Sequence, residues 1–275
     1  MEKLKKLKIL YLNGLSFEVT RRCNQQCKHC MCGPMQNIDI SYKVIDAFFE
    51  QCKTYDVVII NELFFTGGEP LLNIDAINYI LHKISTSRVE IIFNHFGIKT
   101  NGLLYTKEIE EILYKLYNFS EQPTRCWLTC SLDQFHKKPS EDNLNKYKKL
   151  PFFDGIQDQF LKKSDILNTG LARKNNLGCS MFGNDINLSK SPIKYIKRSE
   201  KGEEFLVDKT HIIDYININC KGYILANIDG SYLFQDNFNK GNILVDNIID
   251  ISKDITKKIS KITKIKTKRK IYFYE

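Results

Sequence analysis

The sequence predicts an α/β fold built on a parallel sheet with helical crossovers. Short apolar or alternating runs stop at turn residues, and the intervals between them show the apolar spacing of helices. Of the 275 residues, 43% are apolar and 27% are charged, which is typical of a globular chain with a sizeable core. We therefore expect one large domain, or a domain with a smaller appendage.

Four predicted strands alternate with three predicted helices over the first half of the chain. The strands cover residues 15–20, 63–66, 96–100 and 126–132, and the helices cover 74–84, about 106–118, and a segment that Ser41 can cap and that ends near Cys52. Beyond Leu150 the alternation weakens, and further strands are expected near 164–168 and 177–182.

The last third of the chain has a different pattern. Two apolar runs flank Asp229-Gly230, a dipeptide typical of β-hairpin turns. We place a boundary within residues 185–200. The chain is divided accordingly into a core, residues 1–190, and an extension, residues 191–275, which holds the hairpin and a basic tail.

The net charge of +9 is concentrated near the carboxyl terminus, where Lys253 to Lys270 holds eight Lys and one Arg. We expect a solvated helix face or a frayed tail there; the alternative is a surface that binds a peptide or RNA. No apolar run approaches the roughly 20 residues that span a bilayer, so no membrane partner is expected. The apolar run Ile9–Leu12 is too short for a secretion signal, which favours a cytoplasmic protein.

Three of the nine cysteines are closely spaced, as C-x-x-x-C-x-x-C at Cys23, Cys27 and Cys30. Thiolates hold iron–sulfur clusters, and three of them leave one iron of a cubane open for a ligand. The alternative is zinc, with Cys32 or His29 as a fourth ligand. The motif follows the first predicted strand, where α/β folds place active sites, and this position favours the cluster.

Together with three further segments, this motif resembles the radical S-adenosylmethionine (SAM) superfamily. The segments are Thr66-Gly-Gly-Glu-Pro70, Lys99-Thr-Asn-Gly102 and Ser131-Leu-Asp133, each at the end of a predicted strand. The resemblance covers residues 15–136 well and residues 137–185 weakly. It implies an incomplete (β/α)6 barrel, followed by a small α/β extension similar to the short caps of members that modify peptides.

The resemblance also implies the cofactors and their chemistry. Cys23, Cys27 and Cys30 would hold a [4Fe–4S] cluster whose open iron binds SAM. An electron from an external flavodoxin- or ferredoxin-like donor would cleave SAM to methionine and a 5′-deoxyadenosyl radical. That radical would abstract hydrogen from a substrate.

The expected cofactor-binding residues come from the same segments. Gly67 and Gly68 lack a Cβ, so the backbone there can approach a ligand closely. A guanidinium suits the SAM carboxylate, which makes Arg173 a candidate, although a surface arginine is the favoured interpretation. The full expected set is Gly67, Gly68, Glu69, Pro70, Thr100, Asn101, Ser131, Asp133 and Arg173.

The fourth strand should turn one polar face toward the barrel interior. That face carries Trp127, Thr129, Ser131 and Asp133. Peptide-modifying members of the family continue this segment with Gly, whereas here Gln134, Phe135 and His136 follow. His136 is a candidate proton donor or substrate contact, although a hydrogen-bonded or surface histidine is the favoured interpretation.

The remaining cysteines predict no auxiliary cluster, because the carboxyl-terminal region holds only Cys179 and Cys220. Cys52, Cys126 and Cys130 should pack as small hydrophobic residues. The favoured function is hydrogen abstraction from a peptide or protein side chain. The alternatives are the same chemistry on a small molecule or nucleobase, activation of a glycyl-radical enzyme, and a non-enzymatic metal-binding module.

Overall fold

The fold is a mixed sheet with helices packed on it, seen in a computed structural model that describes residues 6–30, 32–166, 170–178, 195–198, 203–226, 241–248, 264–266 and 271–274. The first five strands are parallel and adjacent in chain order. They are β1 (Lys6–Thr20), β2 (Val57–Gly67), β3 (Glu90–Thr100), β4 (Trp127–Ser131) and β5 (Phe153–Gln157). The helices are α1 (Tyr42–Cys52), α2 (Ile74–Thr86), α3 (Lys107–Phe119), α4 (Glu141–Lys148) and α5 (Gly170–Lys174).

The helices form where their apolar stripes meet the sheet. The apolar residues whose spacing predicted α1 and α2 are buried in the structure, except Ile74, which is half-buried. Asn73 and Thr106 cap α2 and α3 by accepting a backbone N–H bond each. Ser41 occupies the N-cap of α1, but its side chain makes no capping bond. Cys52, Cys126 and Cys130 are buried in the same core, as expected for small hydrophobic residues.

Strands from the carboxyl-terminal region continue the same sheet. They are β6 (Tyr195–Arg198), β7 (Glu203–Ile218), β8 (Tyr223–Ala226), β9 (Gly241–Asn242), β10 (Lys264–Lys266) and β11 (Ile271–Tyr274). β7 pairs in parallel with β1, on the edge opposite β2, so six parallel strands lie side by side. The described strands do not close into a ring. This confirms the expected incomplete (β/α)6 barrel, while the division at residue 190 stays a prediction.

Several elements differ from the sequence prediction. β1, β2 and β3 begin well before the predicted strands, and both α4 and β5 lie where no element was expected. α4 buries only Leu144 and Tyr147, so its apolar stripe is too narrow to be seen in the sequence. The prediction of a strand near 164–168 is wrong for residues 164–166, which the structure describes, because Lys163–Asp165 forms a 3-10 turn. Residues 177–178 lie in no strand, and 179–182 lie outside the described residues.

The predicted hairpin turn at Asp229-Gly230 also lies outside the described residues. The strand before it, β8, instead pairs antiparallel with β7 across residues 219–222. Asn219 accepts the backbone N–H groups of Lys221 and Tyr223, and Gly222 has a φ of +83°. These bonds are typical of a tight turn between two strands.

Two further expectations concern the basic tail and membranes. Between Lys253 and Lys270 the structure describes only 264–266, which form strand β10 where a helix face or tail was expected. Among the described residues, no helix combines the length and hydropathy required to cross a bilayer.

Candidate functional site

A cavity of about 600 Å³ opens at the carboxyl ends of the parallel strands. This volume lies within the roughly 300–1,000 Å³ of ordinary small-molecule sites. Its lining includes almost the whole predicted set: Cys23, Cys27, Cys30, Gly67, Gly68, Glu69, Pro70, Thr100, Asn101, Ser131, Asp133 and His136. Arg173 is exposed on α5 and does not belong to this lining, so its role stays a prediction.

The three clustered cysteines sit on the loop that follows β1. Cys27 is buried, Cys23 and Cys30 are half-buried, and all three are free thiols. Burial raises the pKa of Cys23, and it raises that of Cys27 to about 12. Hydrogen bonds from the side chain and backbone of Cys32, together with one from the backbone of Gly33, lower the pKa of Cys30 to about 7. Three thiols lining one cavity fit an iron–sulfur cluster, and bound iron would keep them deprotonated.

Gly67 and Gly68 bring two backbone segments into close contact. A Cβ on Gly67 would approach the carbonyl oxygen of Thr20 to well inside 3.0 Å, and one on Gly68 would do the same at Arg22. The N–H of Gly68 donates to Thr20 O at 2.8 Å, and the N–H of Glu69 donates to Arg22 O at 2.9 Å. The glycines therefore join the end of β2 to the start of the cysteine loop, a reason for Gly that the sequence did not indicate.

Glu69 is fully buried and holds the ends of β2 and β3 together. Its carboxylate accepts from Thr100 Oγ1 at 2.9 Å, from the Asn101 N–H at 2.8 Å and from the Leu71 N–H at 3.3 Å. Burial raises the pKa of Glu69 to about 7, and these three bonds oppose that rise. Glu69 thus acts on the cavity by fixing the backbone around it.

Asn101 continues this network to the cysteines. Its Nδ2 donates to Asn24 Oδ1 at 2.7 Å and lies 3.8 Å from Cys23 Sγ, while its Oδ1 accepts the Leu103 N–H at 3.0 Å. The position of the cysteine loop is therefore set by β3 as well as by β1 and β2.

The fourth strand presents its expected face to the cavity except at Thr129, which is buried but does not line it. Trp127, Ser131 and Asp133 line the cavity, whereas Leu128 and Cys130 pack in the core under the helices. The turn after β4 places Asp133 beside two imidazoles. His136 Nδ1 lies 2.9 Å from Asp133 Oδ1, and His29 Nε2 lies 3.5 Å from Asp133 Oδ2.

Two cavity residues were missed as candidates. His29 was weighed only as a zinc ligand, yet its ring stacks on Phe135 at 4.6 Å and faces Asp133 rather than the cysteines. Lys99 opens the Lys-Thr-Asn-Gly segment and lines the cavity, where desolvation lowers the pKa of its ammonium group. For Lys99 the available signal was its place in the Lys-Thr-Asn-Gly segment, since Thr100 and Asn101 were already candidates. The position of His29 required the tertiary structure.

The fold is a partial α/β barrel, and three cysteine thiols line the cavity at the carboxyl edge of its parallel strands. Residues 17–150 match the family model of the radical SAM superfamily. The matched segment, just under half of the chain, is a radical SAM domain of that superfamily. Its members are enzymes, and their cofactors are a [4Fe–4S] cluster and SAM.

Curated relatives are similar over part of their length. GTP 3',8-cyclase of Clostridium acetobutylicum is 34% identical over 113 residues, which are 40% of this chain and 34% of that protein. An uncharacterized protein of Methanocaldococcus jannaschii is 30% identical over 105 residues, 38% of this chain and 36% of that protein. The chain thus spans about a third of these relatives' length.

A solved structure shares the fold over most of the chain. The structure of anSMEcpe with bound AdoMet and Cp18Cys peptide aligns with 88% of this chain and 80% of its own, at a TM-score of 0.50. The sequences are 12% identical over this alignment, so the likeness concerns the fold alone.

Proposed function

We propose that this protein is a radical SAM enzyme in which Cys23, Cys27 and Cys30 hold the [4Fe–4S] cluster. When bound, the cluster and SAM supply a 5′-deoxyadenosyl radical that abstracts hydrogen from a substrate. The observation that carries the proposal is the shared cavity: the three thiols line the same space as the Gly67–Pro70 and Thr100–Asn101 segments. A zinc-binding module would not require these strand-end segments around its sulfurs.

The residues of the chain suit the binding of SAM in a definite way. The N–H groups of Gly68 and Glu69 already donate hydrogen bonds to the carbonyl oxygens of Thr20 and Arg22. A carbonyl oxygen of this strand end has two lone pairs and would accept a hydrogen bond from an amino group such as that of SAM. Phe64 and Trp127 line the cavity with apolar ring surface.

Peptide or protein side chains are the substrate class that we favour. The fold likeness to anSMEcpe, solved with a bound peptide, extends over 88% of the chain, whereas the similarity to GTP 3',8-cyclase covers 40%. A nucleotide is the second candidate, because the cyclases have the higher sequence identity and Lys99 places a cation in the cavity. Both candidates use the same initiation chemistry, so they differ only in what the rest of the cavity binds.

The first experiment tests the cluster and the cleavage of SAM. Anaerobically reconstituted protein should be brown and should form 5′-deoxyadenosine from SAM with dithionite. Cys27→Ala should abolish both, whereas the matched control Cys52→Ala, a buried cysteine on α1, should keep both. Colourless wild-type protein that holds one zinc would contradict the proposal.

A second experiment separates the substrate classes. The rate of 5′-deoxyadenosine formation should rise when the correct substrate class is added, because substrate binding completes the site. Cysteine-containing peptides and GTP are compared at equal concentration. A response to GTP alone would show that the substrate is a nucleotide and would contradict the favoured class. A response to peptide alone would support the favoured class.

A further inference from the structure

Two imidazoles and one carboxylate converge on the cavity wall beside the cysteine loop. They belong to His29, Asp133 and His136, and one potential ligand atom from each lies within 4.8 Å of the other two. The carboxylate stands between the rings, with Oδ1 2.9 Å from His136 Nδ1 and Oδ2 3.5 Å from His29 Nε2. All three side chains are mostly buried: the exposed fraction is 16% for His29, 9% for Asp133 and 13% for His136.

Hydrogen bonds do not account for this arrangement. The Nδ1 atoms of His29 and His136 are buried and have no hydrogen-bond partner among the described residues. His136 Nδ1 is close to Asp133 Oδ1, but the ring is not aligned for a hydrogen bond with that oxygen. Asp133 Oδ1 instead accepts the Phe135 N–H at 2.9 Å, which fixes the turn. A buried nitrogen without a partner destabilises the free protein, so a bound partner is expected for His136 Nδ1, the orphaned ring nitrogen that faces Asp133.

We propose that His29, Asp133 and His136 form a mononuclear site for a divalent transition metal, separate from the cysteine site. Two histidines and one carboxylate are a known ligand set for such ions, and they leave coordination positions open. With metal–ligand bonds of about 2.1 Å, neighbouring ligand atoms lie about 3 Å apart. The Asp133 oxygens lie at similar distances from the ring nitrogens, 2.9 Å from His136 Nδ1 and 3.5 Å from His29 Nε2. Closing the longest separation requires side-chain shifts of about 1 Å.

The position of the site suggests what the ion does. All three residues line the cavity, so the open coordination positions face the same space as the three thiols. An ion there would bind an oxygen donor of the substrate, such as a carboxylate or phosphate, and orient it toward the radical. Nitrogen and oxygen ligands also distinguish this site from the cysteines, which suit iron–sulfur chemistry.

The test uses Mn(II) with the cluster-loaded protein, in the absence of SAM. In its oxidised form the cluster gives no electron paramagnetic resonance signal, so the six-line signal of free Mn(II) reports binding directly. We expect one Mn(II) per chain, displaced by an equal amount of Zn(II), because zinc binds such ligands more tightly. Because the measurement needs no turnover, its outcome is independent of SAM cleavage.

Three variants decide the assignment. His136→Ala and Asp133→Asn should each weaken Mn(II) binding at least about tenfold. Asp133→Asn keeps an oxygen for the Phe135 N–H, so it tests the ligand without removing the turn bond. His82→Ala, an exposed histidine on α2, should leave binding unchanged. Visible absorption of the cluster confirms that each variant keeps its cysteine loop. Unchanged Mn(II) affinity in His136→Ala, or no binding by the wild type, would overturn the proposal.

Discussion

The two sides of the cavity rim are built on different principles. One side, here the tied rim, consists of Gly67–Glu69 and Thr100–Asn101, where backbone and side-chain groups are bonded to one another. The other, here the open rim, consists of His29 and Asp133–His136, where two buried nitrogens have no hydrogen-bond partner among the described residues. The tied rim therefore fixes the shape of the cavity, whereas the open rim holds the ring nitrogens on which we propose that a ligand binds.

The largest expected effect comes from Gly67→Ala on the tied rim. The new Cβ would collide with the backbone of Thr20, and a φ of +147° is one that alanine rarely adopts. Since backbone cannot move aside as a flexible side chain does, we expect a loss of more than about 4 kcal/mol in the free energy of unfolding. Urea denaturation followed by circular dichroism measures it.

Gly155→Ala is the matched control for that change. Gly155 also has a positive φ, +127°, but a Cβ there would have no atom within 4 Å. It should therefore show only the conformational penalty of about 1–2 kcal/mol. Equal losses in the two variants would show that backbone conformation, and not the contact with Thr20, makes Gly67 necessary.

Glu69→Ala should have the next largest effect. It leaves the Thr100 hydroxyl and the N–H groups of Asn101 and Leu71 without their acceptor inside the protein. We expect a loss of about 3–4 kcal/mol in the free energy of unfolding, because unpaired buried donors are costly. The same denaturation experiment measures it, and a loss below about 1 kcal/mol would show that water replaces the carboxylate.

The pH dependence of stability tests the same carboxyl group more finely. Its pKa is raised from 4.5 to about 7. As the pH rises through this interval the unfolded chain releases the proton while the folded chain keeps it, so the stability falls. In the wild type, the free energy of unfolding should fall by up to about 3 kcal/mol over this interval because of Glu69, and Glu69→Gln should remove this fall. Parallel stability curves for the two proteins between about pH 4.5 and 7 would contradict the pKa assignment.

His136→Ala on the open rim should have the smallest effect. Its ring nitrogen Nδ1 has no hydrogen-bond partner among the described residues, so its removal breaks no satisfied bond at that atom. We expect a change within about 1 kcal/mol in the free energy of unfolding of metal-free protein, from lost packing against His29 and the lost contact with Asp133. A loss as large as that of Glu69→Ala would show that both rims are structural.

The sequence predicted the positions of most site residues because each follows a strand that it also predicted. Cys23, Gly67, Thr100 and Ser131 come at or just after the ends of β1, β2, β3 and β4, and the ends of parallel strands meet at one edge. The buried faces of α1 and α2 were predictable for the same reason, since local periodicity specifies them. α4 and β5 were not, because few apolar side chains mark them.

The class of chemistry follows from the spacing of Cys23, Cys27 and Cys30 and from the order of the strand-end segments, both of which are visible in the sequence. Three features are visible only in the folded chain: Thr20 and Arg22 require Gly67 and Gly68, β7 lies beside β1, and His29 meets Asp133. The two groups differ in distance along the chain. Local patterns report what neighbouring residues do, whereas contacts between residues about 50, 100 or 200 positions apart depend on how the strands are arranged.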